Sequence, residues 1–110
     1  MEKAEGNWVT QMRKGLSEYF VLLVLSDAPA HGYKIAAHLR ALDIFDLGEG
    51  TLYPLLARLT KRGLVTPSWV TDGPGAARKV YSLTALGRQE LGKMKKLWCK
   101  LDDSQKRLGG

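Results

Sequence analysis

The sequence predicts a mainly α-helical fold with one small β-hairpin: an α+β winged helix-turn-helix domain followed by a C-terminal dimerisation helix. Three observations predict it. Leu52, Leu55, Leu56 and Leu59 fall at i, i+3, i+4 and i+7, one stripe of a short amphipathic helix. Two runs rich in β-branched and aromatic residues, 64–71 and 78–83, flank the turn formers of 72–77. After Thr84, the residues Leu91, Met94, Trp98, Leu101, Gln105 and Leu108 recur in a 3–4–3–4–3 rhythm, the spacing of a coiled-coil seam. On this reading residues 1–83 form the winged domain, whose first helix is shared with the dimer interface. Residues 84–110 form the dimerisation helix.

Taken in order, residues 1–7 are polar and expected to fray. A first helix is expected from about Trp8 to Asp27. Met12, Leu16, Tyr19, Phe20 and Leu23 share one face, and Val21, Val24 and Leu25 populate others. Its second half is therefore apolar nearly all round and must be covered on every side. One face can meet the domain core; the rest calls for a second chain, which assigns Leu16 and Phe20 to a dimer interface. Gly15 is an interior glycine that weakens this helix.

Asp27-Ala28-Pro29-Ala30 ends the first helix, and a second is expected from about His31 to Leu42. Residues 43–48 connect it to a third. Pro54 lacks an amide hydrogen and is tolerated only near a helix start, which sets that start near Glu49 or Gly50. Gly63 supplies the stop. Two helices joined by a short connection make the helix-turn-helix pair.

Opposite the leucine stripe the third helix carries Gly50, Tyr53, Pro54, Ala57 and Lys61, with Thr51 and Arg58 on a flank. This face is small, rigid and basic. It suits a DNA groove, where cations meet phosphates and a few donors reach base edges. On the helix alone, an ordinary solvated face explains the pattern equally well. The hairpin decides, because a basic helix followed by a tight stop and a hairpin with cations near its tip describes a wing reaching the backbone beside a recognition helix. The expected DNA contacts are Thr51, Tyr53, Arg58 and Lys61 from the helix and Arg78 and Lys79 from the wing.

The segments HGYKI, GTLYPLLARLTKRGLV and RKVYSLTALGRQEL closely resemble the PadR-like family of winged-helix transcriptional regulators, in register from about Gln11 to Leu91. Family wings are typically richer in Arg and carry a second aromatic beside the tyrosine; here Ala76, Ala77 and Val80 occupy that stretch. The resemblance implies a homodimeric, ligand-responsive repressor.

At 110 residues the chain is long enough for one domain. Its formal charge of +6 is unevenly placed: residues 1–57 hold five Lys/Arg against seven Asp/Glu, and residues 58–110 hold twelve against four. A basic half points to an anionic partner, and double-stranded DNA fits it better than a membrane surface, which would call for a basic helix with a bulky apolar face open to lipid. The apolar run FVLLVL is far too short to span a bilayer. No secretory pattern is present at the N-terminus, so a cytoplasmic protein is expected.

Cys99 is the single cysteine, which excludes an intrachain disulfide and a multi-cysteine zinc site. His31 and His38 lie seven apart, not four, and lack a third ligand, so no metal and no cofactor are expected. No nucleophile elbow, P-loop or Cys-His pair occurs, and an enzyme is not expected.

The last helix should run from an N-cap at Thr84 to about Arg107, about 35 Å, too long to pack only on a small core. Leu91, Met94, Leu101 and Leu108 are assigned to its dimer seam. Trp98 falls on the same seam, where a flat ring can anchor a dry interface or wall a cavity for a planar ligand. Multidrug-responsive relatives use a tryptophan at what looks like this place. That similarity implies a site for flat aromatic compounds at Trp98 on the dimer interface, which Trp8 and Met12 join if the partner's first helix lies across Trp98. The function expected is a dimeric regulator of a pseudo-palindromic operator, a repressor released by a small aromatic ligand. The alternative is a winged-helix RNA-binding or protein-interaction module without operator specificity.

Overall fold

The computed structural model describes residues 7–43, 45, 48–71 and 73–109. The expectation of a frayed start thus falls, for residues 1–6, outside the described residues, as do residues 44, 46 and 47 of the connector and Asp72 of the hairpin loop. The elements run α1 (Asn7–Asp27), β1 (Ala30–His31), α2 (Gly32–Arg40), α3 (Glu49–Lys61), β2 (Val65–Val70), β3 (Arg78–Leu83) and α4 (Ala85–Leu108). The fold is α+β, a helix-turn-helix with an antiparallel wing.

The sheet has three strands in the order β1-β3-β2, one more than the expected hairpin. In β1, Ala30 pairs with Tyr81 and His31 with Val80. A two-residue strand is too short to produce a period, so nothing in the sequence pattern announces it. His31 is consequently not the first helical residue but the N-cap of α2, its Nδ1 accepting from the Lys34 amide at 3.3 Å. That bond ties the end of the strand to the start of the helix.

The third helix begins at Glu49 with Gly48 as its N-cap. Pro54 lies in its second turn and is exposed, so the bond it cannot donate is forfeited on the water side. The helix stops in a Schellman arrangement. Gly63, at φ +79°, donates to the Thr60 carbonyl at 3.0 Å, and Leu64 donates to that of Leu59 at 3.0 Å. Thr84 then locks α4 to this corner. Its Oγ1 donates to the Gly63 carbonyl at 2.6 Å and accepts from the Gly87 amide at 2.9 Å, while its own amide donates to Leu64 at 3.1 Å. Arg62 adds an ion pair to Glu18 of α1 at 2.9 Å.

The core is built from Val21, Leu22 and Leu25 of α1, Ile35, Ala36 and Leu39 of α2, the leucine stripe of α3, Leu64 of the turn after it, Val65 and Tyr81 of the sheet, and Leu91 of α4. Part of the apolar second half of α1 is thus covered within the chain, while Phe20, Leu23 and Val24 stay half-buried. The helix contacts α2, α4 and β3 of its own domain, which together bury Val21, Leu22 and Leu25. Phe20 is half-buried against Phe45 of the connector, with ring centroids 5.1 Å apart. Leu91, expected on the partner-facing seam, is only 4% exposed and belongs to the chain's own core.

The bare apolar surface lies elsewhere. From Lys95 onward every described residue of α4 is exposed. At ~1.5 Å per residue α4 is about 36 Å long, and its distal half projects past the core.

Candidate functional site

The exposed face of α3 and the inner face of the wing enclose a cleft lined by Tyr53, Ala57, Thr60, Lys61, Pro67, Lys79 and Tyr81. It continues past the start of α2, where His31, Gly32, Tyr33 and Arg78 join Tyr53 and Lys79. Four of the six residues expected to contact DNA, Tyr53, Lys61, Arg78 and Lys79, are thus brought to one continuous cleft. Thr51 and Arg58 are exposed on α3 but do not line it.

Tyr53 is held from behind by the smallness of Gly32. A Cβ at position 32 would sit 2.6 Å from the Tyr53 hydroxyl and 2.7 Å from its ring, so only glycine lets the ring settle there. The phenol nevertheless remains 43% exposed toward the cleft. Lys79 Nζ lies 5.8 Å from the Tyr81 ring centroid, a cation–π contact that holds the ammonium above the cleft floor. Periodicity alone did not find the contribution of Gly32 and Tyr33. The signal was the His31-Gly32-Tyr33 triplet itself, an N-cap, a small residue and an exposed aromatic.

A second feature lies between α1 and α4. Gly15, Leu16, Tyr19, Met94, Leu97, Trp98 and Leu101 line an apolar groove of about 150 Å³. Trp98 is 44% exposed and tilts 32° against Tyr19, with ring centroids 6.4 Å apart. Burial pushes the Tyr19 hydroxyl above its ordinary range, with the neighbouring Cys99 thiol adding to the shift. Gly15, expected to weaken the helix, forms part of the groove, with open space where its Cβ would be. Of the expected seam, Leu16, Met94 and Leu101 reach the groove. Leu108, at the end of α4, is exposed, as are Trp8 and Met12 near the start of α1; none of these three lines the groove within one chain.

Among the described residues no His, Cys, Asp and Glu cluster could hold a metal ion, and no helix is long and apolar enough to cross a membrane.

A helix-turn-helix whose second helix and adjoining wing share a basic cleft defines the winged-helix class. Within that class the chain belongs to the PadR-like family of transcriptional regulators, whose family model matches residues 21–93. It is a family of regulators, not of enzymes. The chain is similar to a PadR-like regulator of Bacillus cereus, at 30% identity and a TM-score of 0.83, over 91% of this chain and 98% of that one. It is also similar to Bacillus subtilis PadR in a crystal structure with operator DNA, at 27% identity and a TM-score of 0.65, over 72% of this chain and 46% of that one. A 37.1 kDa protein of a Streptomyces fradiae transposon is 39% identical over 80 residues, 73% of this chain; the match spans 22% of that longer protein.

Proposed function

We propose that the protein is a dimeric, DNA-binding repressor in the cytoplasm that reads a pseudo-palindromic operator and is released by a planar aromatic ligand. The observation that carries the DNA-binding part is the α3–wing cleft, where Tyr53, Lys61, Arg78 and Lys79 converge. The operator complex of the Bacillus subtilis relative supports it. Thr51 and Arg58, exposed on the flank of α3, complete the reading surface. Lys61, Arg58, Arg78 and Lys79 neutralise phosphates, and Thr51 and Tyr53 bear on base identity.

The dimer part rests on surface that one chain leaves uncovered. Leu97, Trp98, Leu101 and Leu108 on the distal half of α4, and Trp8 and Met12 on the free end of α1, are all exposed. A large apolar surface of this kind marks an interaction site. A partner's α1 laid across α4 brings Trp8 and Met12 over Trp98 and closes the groove into a cavity. Leu16, Met94 and Leu101 line its walls, and the half-buried Phe20 lies at its inner margin. A flat ligand stacked there spreads the helices. The two recognition helices must sit about 34–36 Å apart to read half-sites one turn apart, so a shift of a few ångströms at the seam costs contacts on one side.

Titration with planar aromatic compounds tests the effector site. Trp98→Phe keeps most of the packing and reduces the fluorescence quench, while Trp98→Ala abolishes it. Two dimeric variants that bind the same compounds with unchanged affinity would show that Trp98 only packs.

A further inference from the structure

The wing carries one large side chain that neither the core nor the basic cleft accounts for. In the β2–β3 ladder Val65 pairs with Leu83, Pro67 with Tyr81 and Trp69 with Lys79. Directly opposed residues of antiparallel strands project from the same face, and alternate residues along a strand share that face. These six residues therefore form one surface, the one turned toward α3. Its root is buried at Val65 and Tyr81, Pro67 is half-buried, and Trp69 is 68% exposed. The surface leaves the core at Pro67 and continues as bare indole beside Lys79. Among the described residues the Trp69 indole stacks on no other ring and makes no side-chain hydrogen bond. Directly opposite it stands the exposed cation Lys79, which lines the cleft together with the exposed Lys61 of α3.

We propose that Trp69 is a DNA-positioning residue. Its ring packs on the deoxyribose-phosphate backbone beside the groove occupied by α3, and its Nε1–H is a donor for a phosphate oxygen. The inference deepens the DNA-binding reading above and rests on it. The chemistry fits the place. Indole offers a broad apolar face for a sugar and one N–H donor at its edge. A ring on the cation-lined face of the wing meets the backbone rather than base edges. The contact therefore adds affinity on every sequence and carries no base preference. It also neutralises no charge, so it releases no counterion and leaves the salt dependence alone. That separates Trp69 from Lys79 directly opposite it.

The experiment uses the full chain and duplex DNA obtained by in vitro selection, with a scrambled duplex as the second arm. Trp69→Ala is expected to weaken binding to both by about tenfold, the scale of a buried aromatic contact, with the slope of log K against log salt unchanged. Trp69→Phe should recover most of the loss on both duplexes. Lys79→Ala should instead flatten the slope by about one. A Trp8→Phe/Trp98→Phe double variant leaves Trp69 as the only tryptophan, so its emission reports the contact without altering the wing. Quenching or a blue shift on adding duplex is expected. Unchanged emission on a duplex that binds, or a folded Trp69→Ala protein with unchanged affinity while Lys61→Ala loses it, would overturn the role of Trp69 and leave the DNA reading standing. Failure of the unmutated protein to bind either duplex would overturn both.

Discussion

Gly32 and Gly87 are both small because something lies where a side chain would go, yet they differ in what that something is. At Gly87 a Cβ would come within 2.0 Å of the Leu64 carbonyl oxygen, which is backbone and cannot yield. Gly87→Ala must lift the first turn of α4 off the Thr84 corner, and we expect a loss of about 1–3 kcal/mol, the usual scale for overpacking, read by chemical denaturation. At Gly32 the obstacle is the end of the Tyr53 side chain, which can swing into the cleft. Gly32→Ala is therefore expected to cost less than about 1 kcal/mol of stability while altering DNA affinity, because the displaced phenol occupies the space before α3. A denaturation midpoint lowered as far as that of Gly87→Ala, with DNA binding intact, would assign Tyr53 to structure alone.

At the scale of elements, α3 and the wing form a pair with separable contributions. Lys61→Ala and Lys79→Ala should each weaken binding on all duplexes and reduce the salt slope by about one. Changes at Thr51 or Tyr53 should shift sequence preference more than salt dependence. Unchanged slopes for both lysine variants would remove α3 and the wing from the phosphate backbone. These elements were legible in the sequence because each carries a strong local signal. The leucine stripe has the helical period, Gly63 the left-handed stop, Thr84 the cap, and 78–83 the alternation of a strand. β1 was not legible, since two residues have no period and their strand character comes from Tyr81 and Val80 across the sheet. The surroundings of α1 are only partly legible for a related reason. Apolar residues on all sides demand cover, but the sequence does not say from where; α2, α4 and β3 of the same chain cover Val21, Leu22 and Leu25 and leave Phe20, Leu23 and Val24 half-buried. The 3–4 rhythm of α4 likewise gave the face without saying where the core stops, so Leu91 and Leu101 looked alike although one is 4% and the other 55% exposed. In the cleft, Tyr53 and Lys61 followed from helical spacing, whereas the notch at Gly32 exists only because the chain brings α2 against α3.

At the scale of the whole molecule, the bare distal half of α4 and the exposed start of α1 are the surfaces that the proposed dimer covers. Leu101→Glu places a charge in that seam. We expect it to shift the protein to monomer in sedimentation, because an unpaired carboxylate cannot be buried there without a large desolvation cost. The same substitution at a surface that stayed in water would leave the sedimentation unchanged. A monomeric variant with an intact α3–wing cleft should still bind DNA, but weakly, since it contacts one half-site at a time. In vitro selection of duplexes by the unmutated protein, followed by sequencing, puts fold, cleft and dimer to a single test. A dimer presenting two recognition helices enriches an inverted repeat whose half-sites are centred about 10–10.5 base pairs, one helical turn, apart. Enrichment of single half-sites without symmetry, or no enrichment over the starting pool, would contradict a dimeric operator-reading regulator.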